Sequence, residues 1–243
     1  MDIPTLFLLM LPIVAFLYAA VGHGGASGYL ALMALFSFAP EEMKPTALLL
    51  NLFVAAISFY HYWKSGHFNG KLFLAFAIGS IPLSFLGGTM DIDAKLYKII
   101  LGILLLFAIA KMLNLFGKNS EKKRKVKWRE GIIVGAAIGF FSGLIGIGGG
   151  IILSPVILLM HWGKMKEAAA VSALFIWVNS ASGMAGQLLT GVEISPQSWI
   201  FVTLAVIGGF FGAYVGSKKM NNSTLRYLLA FVLILAAVKL FFV

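Results

Sequence analysis

The chain has 243 residues, of which 60% are hydrophobic and only 12% charged. That balance excludes an ordinary soluble domain, and the lack of cysteine excludes disulfides, thiolate chemistry and cysteine metal sites. A net charge of +10 would suggest nucleic acid in a soluble protein. In so apolar a chain it fits cytoplasmic loops and contact with membrane lipid, and no nucleic-acid partner is expected.

Residues 3–21 form a charge-free apolar run long enough to cross a bilayer. It lacks a basic leader and a small-residue cleavage site, so it is expected to stay in the mature protein. Next comes "AVGHGGASGYL", with four glycines, a histidine and a serine within residues 22–28. A short apolar run, residues 29–39, follows it. Charge-free runs then occupy residues 45–63 and 72–90, and a shorter one, residues 99–110, is flanked by basic residues.

"GKNSEKKRKVKWRE", residues 117–130, carries seven of the 19 Lys and Arg residues. It reads as a basic cytoplasmic linker between two copies of one unit, residues 1–116 and 131–243. Gly22, Gly24 and Gly25 recur as Gly146, Gly148 and Gly149, 124 positions later. After this second cluster come a short run, residues 151–162, then residues 168–192, 199–217 and 227–238. "MKPTALLLNLFVAAIS" from Met43 resembles "MKEAAAVSALFIWVNS" from Met165.

Walking outward from the linker by the positive-inside rule puts Lys64 and Lys71 inside, and Asp91, Glu41 and Glu42 outside. Lys164, Lys166, Lys218 and Lys219 fall inside and Glu193 outside. Equivalent loops of the two copies thus lie on opposite faces. The expected fold is an all-α polytopic membrane protein with two inverted-topology repeats. Each repeat is a Gly-tipped helical hairpin followed by three transmembrane helices. Both termini are expected outside the cytoplasm.

About 12 helical residues span about 18 Å, short of a roughly 30 Å hydrocarbon core. The run after each glycine cluster is therefore expected to be a half-helix, with the glycines at a tip deep in the membrane. Backbone there must line a protected polar space, and a half-helix N-terminus presents N–H groups that favour an anion. The candidate site is Gly22, His23, Gly24, Gly25 and Ser27 of the first tip, and Gly146, Gly148, Gly149 and Gly150 of the second. Asn51 and Asn179, mid-span in corresponding runs, could donate amide hydrogen bonds. His23 stands where the second copy has Ile147, and is expected to add conditional positive charge. No Asp or Glu lies within a span, which argues against a cation site or an acidic proton relay. His61, His67 and His161 lack metal-ligand spacing. No metal or cofactor is expected.

Together "VGHGGASGYLALMALF" and "IGIGGGIILSPVILLM" resemble the TauE/SafE sulfite exporter family, and the resemblance covers essentially the whole chain. It implies a multi-pass inner-membrane permease for small sulfur-containing anions such as sulfite, sulfonates or sulfoacetate, with both glycine clusters as the site. Pro155 stands where the first copy has Ala31, so the two tips need not be equivalent. The function expected is secondary transport of such an anion, coupled to protons and not enzymatic. A passive anion channel would share the same site. An intramembrane serine protease would use Ser27 of "GASG" with His61 as base, but it leaves the duplication unexplained. The anion and membrane lipid are the expected partners, and a homodimer is allowed.

Overall fold

The computed structural model describes residues 4–90, 93, 124–221, 223–225, 227, 228, 231 and 234. All regular structure among them is helical. The elements are α1 (Thr5–Ala20), α2 (Ala26–Leu35), α3 (Pro40–Lys64), α4 (Gly70–Gly88), α5 (Trp128–Ile145), α6 (Gly150–Leu159), α7 (Met165–Leu189) and α8 (Ser198–Tyr214). A π-helical turn, Val215–Lys219, extends α8. Among the described residues, five helices are long and apolar enough to cross a membrane: those of α3, α4, α5, α7 and α8 with its extension. The expected third spans of the two copies, residues 99–110 and 227–238, and most of the linker lie largely outside the described residues.

Helix ends follow local chemistry. Glu41 and Glu42 sit in the first turn of α3 and Lys64 in its last, each matching the sign of the helix dipole. Asn69 caps α4, its side chain accepting from the Leu72 N–H at 3.1 Å. Gly146 ends α5 with φ of 83°, a left-handed conformation that side chains with a Cβ resist.

Close packing rests on small residues. Gly131, Gly135, Gly139 and Gly143 recur every fourth position along α5, where an added Cβ would strike Ala75, Phe76, Ser80 and Ser84 of α4. Gly208, Gly212 and Gly216 do the same against the backbone carbonyls of Pro12, Phe16 and Ala20 in α1. In lipid the surroundings are as apolar as the helices. Such backbone proximity therefore replaces the hydrophobic effect as the force holding pairs together. The first hairpin arm of each half thus packs on the last described helix of the other half, α1 on α8 and α5 on α4. Helices α3 and α7 pack against each other at the centre.

Hydrogen bonds fix the direction of each helix. At one end Thr46 Oγ1 and Ser198 Oγ lie 2.8 Å apart, Lys44 Nζ donates to the Met90 carbonyl, and the Phe7 ring contacts those of Phe38 and Phe201. At the other end Asn69 Nδ2 donates to Glu167 Oε1 at 2.6 Å, and the Arg124 N–H donates to the His161 carbonyl at 2.8 Å. Helix α3 therefore runs from the first end to the second and α7 the reverse; α4 and α8 are likewise opposed. Lys64, Lys71, Lys164 and Lys166 gather at the second end, while Glu41, Glu42 and Glu193 lie at the first.

Candidate functional site

Both glycine clusters sit at the tips of helical hairpins. Helices α2 and α6 each have 10 residues, about 15 Å of helix, so neither crosses a hydrocarbon core. The first tip bends at Gly22 (φ 78°) and Gly25 (φ 106°). The second bends at Gly146, Gly148 and Gly149, with φ of 83°, 73° and 76°. All these residues are buried, as are His23 at 2% exposure, Ser27 at 7% and Asn51 at 0%.

The tips meet on a single side chain. Asn51 of α3 accepts from the Ala26 N–H, the first residue of α2, at 3.1 Å through Oδ1. Its Nδ2 donates to Ser180 Oγ of α7 at 3.2 Å. A Cβ on Gly24 would collide with the Asn51 amide, and one on Gly148 would stand 2.7 Å from Asn51 Nδ2. Gly24, Gly148 and Gly150 also all close on Ile176. The tips are joined directly as well, because His23 Nε2 lies 2.9 Å from the Gly150 carbonyl oxygen. A carbonyl only accepts, so Nε2 carries the proton. In a neutral ring Nδ1 is then bare, and it is buried without a partner.

The carbonyls of the first tip are covered by hydroxyl donors. Tyr62 OH donates to Ala20 at 2.6 Å, Tyr29 OH to Gly24 at 2.7 Å, and Ser58 Oγ to His23 at 3.5 Å. Capping these acceptors removes the groups that would repel an anion, while the helix N-termini still offer donors. Helix α6 has Gly149 at its N-cap and no side-chain cap, unlike α2, whose first N–H is held by Asn51. The two tips are therefore inequivalent in capping, and α6 also carries Pro155 where α2 has Ala31.

Other expected residues take different roles. Asn179 Nδ2 donates to Ser80 Oγ at 3.1 Å and to the Phe175 carbonyl at 2.7 Å, and its backbone carbonyl accepts from Ser84 Oγ. Its contacts go to α4 rather than to the tips. Ser27 Oγ donates to Tyr18 OH at 3.0 Å. Gly22 is pressed against Ala169, Gly25 against the Tyr29 ring, and Gly146 against Lys44. Ser180, Tyr29 and Tyr62 were not among the expected site residues. Ser180 is one of several neutral polar residues in its span, and no sequence motif marks either tyrosine as a hydrogen-bond donor. Ser142 Oγ, at the base of the second tip, is a further buried hydroxyl without a partner.

The description Sulfite exporter TauE/SafE matches residues 7–240. The chain belongs to this family. The TauE/SafE family is one of membrane transporters and not of enzymes, and with its apolar helices this member is a multi-pass membrane protein. It is 36% identical over 233 residues to Probable membrane transporter protein y4hK of Sinorhizobium fredii, with 94% of each chain covered. It is 28% identical to Probable membrane transporter protein MJ0441 of Methanocaldococcus jannaschii, covering 93% of this chain and 94% of that one. Against Probable membrane transporter protein YunE of Bacillus subtilis it is 26% identical, with 84% and 81% covered. No solved structure matches.

Proposed function

We propose that this TauE/SafE member is a secondary transporter of a small sulfur-containing anion, such as sulfite or a sulfonate, in the inner membrane. The anion is held between the two glycine tips, near the middle of the bilayer. The observation that carries this reading is Asn51, whose one amide faces both tips and binds the start of α2. Two half-helix N-termini, with no carboxylate in either tip, form an electropositive seat made of partial charges.

The opposed directions of α3 and α7, and of α4 and α8, support reading the halves as inverted repeats. The gathering of lysines at one end supports placing that end and the linker in the cytoplasm, with both termini outside. In this state the tips are buried, and access alternates as the halves rock about the α3–α7 contact.

His23 makes the transport proton-coupled. Protonation of its bare Nδ1 adds a full positive charge beside the seat, so proton and anion favour each other's binding. The other titratable groups close to this tip are Tyr18, Tyr29 and Tyr62, all hydroxyls held in hydrogen bonds. The test is uptake into proteoliposomes of sulfite, a sulfonate, sulfate and a carboxylate, with and without an imposed proton gradient. Accumulation of a sulfonate or sulfite above equilibrium only with the gradient supports the reading; equal downhill flux of all four, indifferent to the gradient, refutes it.

A further inference from the structure

A second electropositive feature lies away from the tips. A cavity of about 830 Å³ opens at the lysine-rich end, lined by the α3–α4 loop, the start of α4 and the start of α7. Its polar lining includes Lys71, Lys164, Lys166, His67, Asn69 and Glu167. Glu167 is turned to Asn69 Nδ2 and to the Lys164 backbone N–H. Lys166 Nζ donates to the Ser217 carbonyl at 3.1 Å, which holds it at the rim. Lys71 and Lys164 are exposed, and neither ammonium has an ion-pair partner among the described residues. His67 is held below the ordinary histidine range, first by burial and then by the charge of Lys166.

The cavity is also continuous with an apolar track. Lys71, Leu74, Ile78, Ile81 and Phe85 fall on one face of α4 at helical spacing, and the four apolar members are exposed large side chains. Two lysines lining one cavity, with an apolar stripe running from it along α4, have the two chemistries of a phospholipid in the right order. Free phosphate would use only the first. We propose that this cavity is a binding site for an anionic phospholipid. Its phosphate sits between Lys71 and Lys164, and an acyl chain lies along Leu74, Ile78, Ile81 and Phe85. The site is independent of the transported anion, since none of its lining residues belongs to a tip.

The test is native mass spectrometry of the full chain in detergent, titrated with phosphatidylglycerol or with phosphatidylcholine. Each basic residue near an anionic headgroup contributes about fivefold in affinity. The wild type is expected to prefer phosphatidylglycerol, and the Lys71→Gln/Lys164→Gln pair to lose that preference. The Lys218→Gln/Lys219→Gln pair removes the same charge at the same end but outside the cavity, and is expected to keep it. The Lys71→Arg/Lys164→Arg pair keeps the charge and is expected to bind normally, which separates loss of charge from loss of fold. Equal loss in the two glutamine pairs would overturn the site. Displacement of the lipid by millimolar inorganic phosphate would overturn the lipid assignment in favour of a free-phosphate site.

Discussion

His23 Nε2 lies 2.9 Å from the carbonyl oxygen of Gly150, so a side chain of the first tip closes on the first helical residue after the second. The two ends of this contact are 127 positions apart in sequence. Any movement of one half against the other must stretch or break it. A residue that joins the halves and also holds an unpartnered buried nitrogen is well placed to couple a proton to that movement.

His23→Gln is therefore expected to flatten the pH dependence of binding. Glutamine keeps a donor for the Gly150 carbonyl but cannot take up a proton. For a fully ionised sulfonate, wild-type affinity should rise as pH falls, because the proton adds attraction only in the protonated form. The slope approaches about tenfold per pH unit where one proton is taken up per anion. Isothermal titration across mildly acidic to mildly basic pH measures it, and the same slope in the variant would reject His23 as the proton site.

Asn51 and Asn179 should separate cleanly. Asn51→Asp replaces the donor at Nδ2 with negative charge facing the seat, and is expected to weaken anion binding by roughly tenfold or more, about 1.4 kcal/mol. Asn179→Ala is expected to leave binding intact and lower the melting temperature, because the Asn179 side chain ties α7 to Ser80 of α4. Thermal unfolding with and without a sulfonate reads both effects.

The separation of these two asparagines was not legible in the sequence, for a physical reason. A helix surrounded by protein on one side and lipid on the other is apolar all round, so hydrophobic periodicity does not reveal which face turns inward. Both asparagines read as mid-span donors, and only the packing of α3 on α7 shows that Asn51 reaches the tips while Asn179 faces α4. The spans and the tips were legible because they rest on local chemistry. Charge-free runs mark the long helices, and the glycine clusters mark where the helix must break. Even so, α2 and α6 start at Ala26 and Gly150, slightly before the expected starts, since the last residues of each cluster already adopt helical geometry. The roles of Tyr29 and Tyr62 are not legible in the sequence, because the partner of a tyrosine hydroxyl is set by tertiary packing.

The glycine tips should not tolerate even one methyl group. Gly24→Ala presses a Cβ into the Asn51 amide, and Gly148→Ala adds strain at φ of 73°. Both are expected to abolish measurable sulfonate binding. At Gly70 an added Cβ meets its nearest neighbour, Phe68, at an ordinary 3.6 Å, so Gly70→Ala is expected to bind sulfonate as the wild type does.

Helix packing gives a stability prediction separate from binding. Gly139→Leu forces α5 away from the Ser80 backbone and is expected to cost about 1–3 kcal/mol. Ile133→Ala, on the exposed face of the same helix, is expected to change little. Denaturation of both variants in the same detergent compares them.

Opposed halves predict opposed loops. The chain has no cysteine, so Lys64→Cys and Glu193→Cys each introduce a single reporter. In oriented membrane vesicles an impermeant maleimide is expected to reach the two from opposite sides. Labelling from the same side would contradict the inverted arrangement.

The central claim is that the anion sits between the two glycine tips, and anomalous diffraction with selenite, a heavy analogue of sulfite, tests it most directly. The expected result is a selenium peak within hydrogen-bonding distance of the Asn51 amide and the first N–H groups of α6. A peak confined to the cavity of Lys71 and Lys164, with none at the tips, would contradict it.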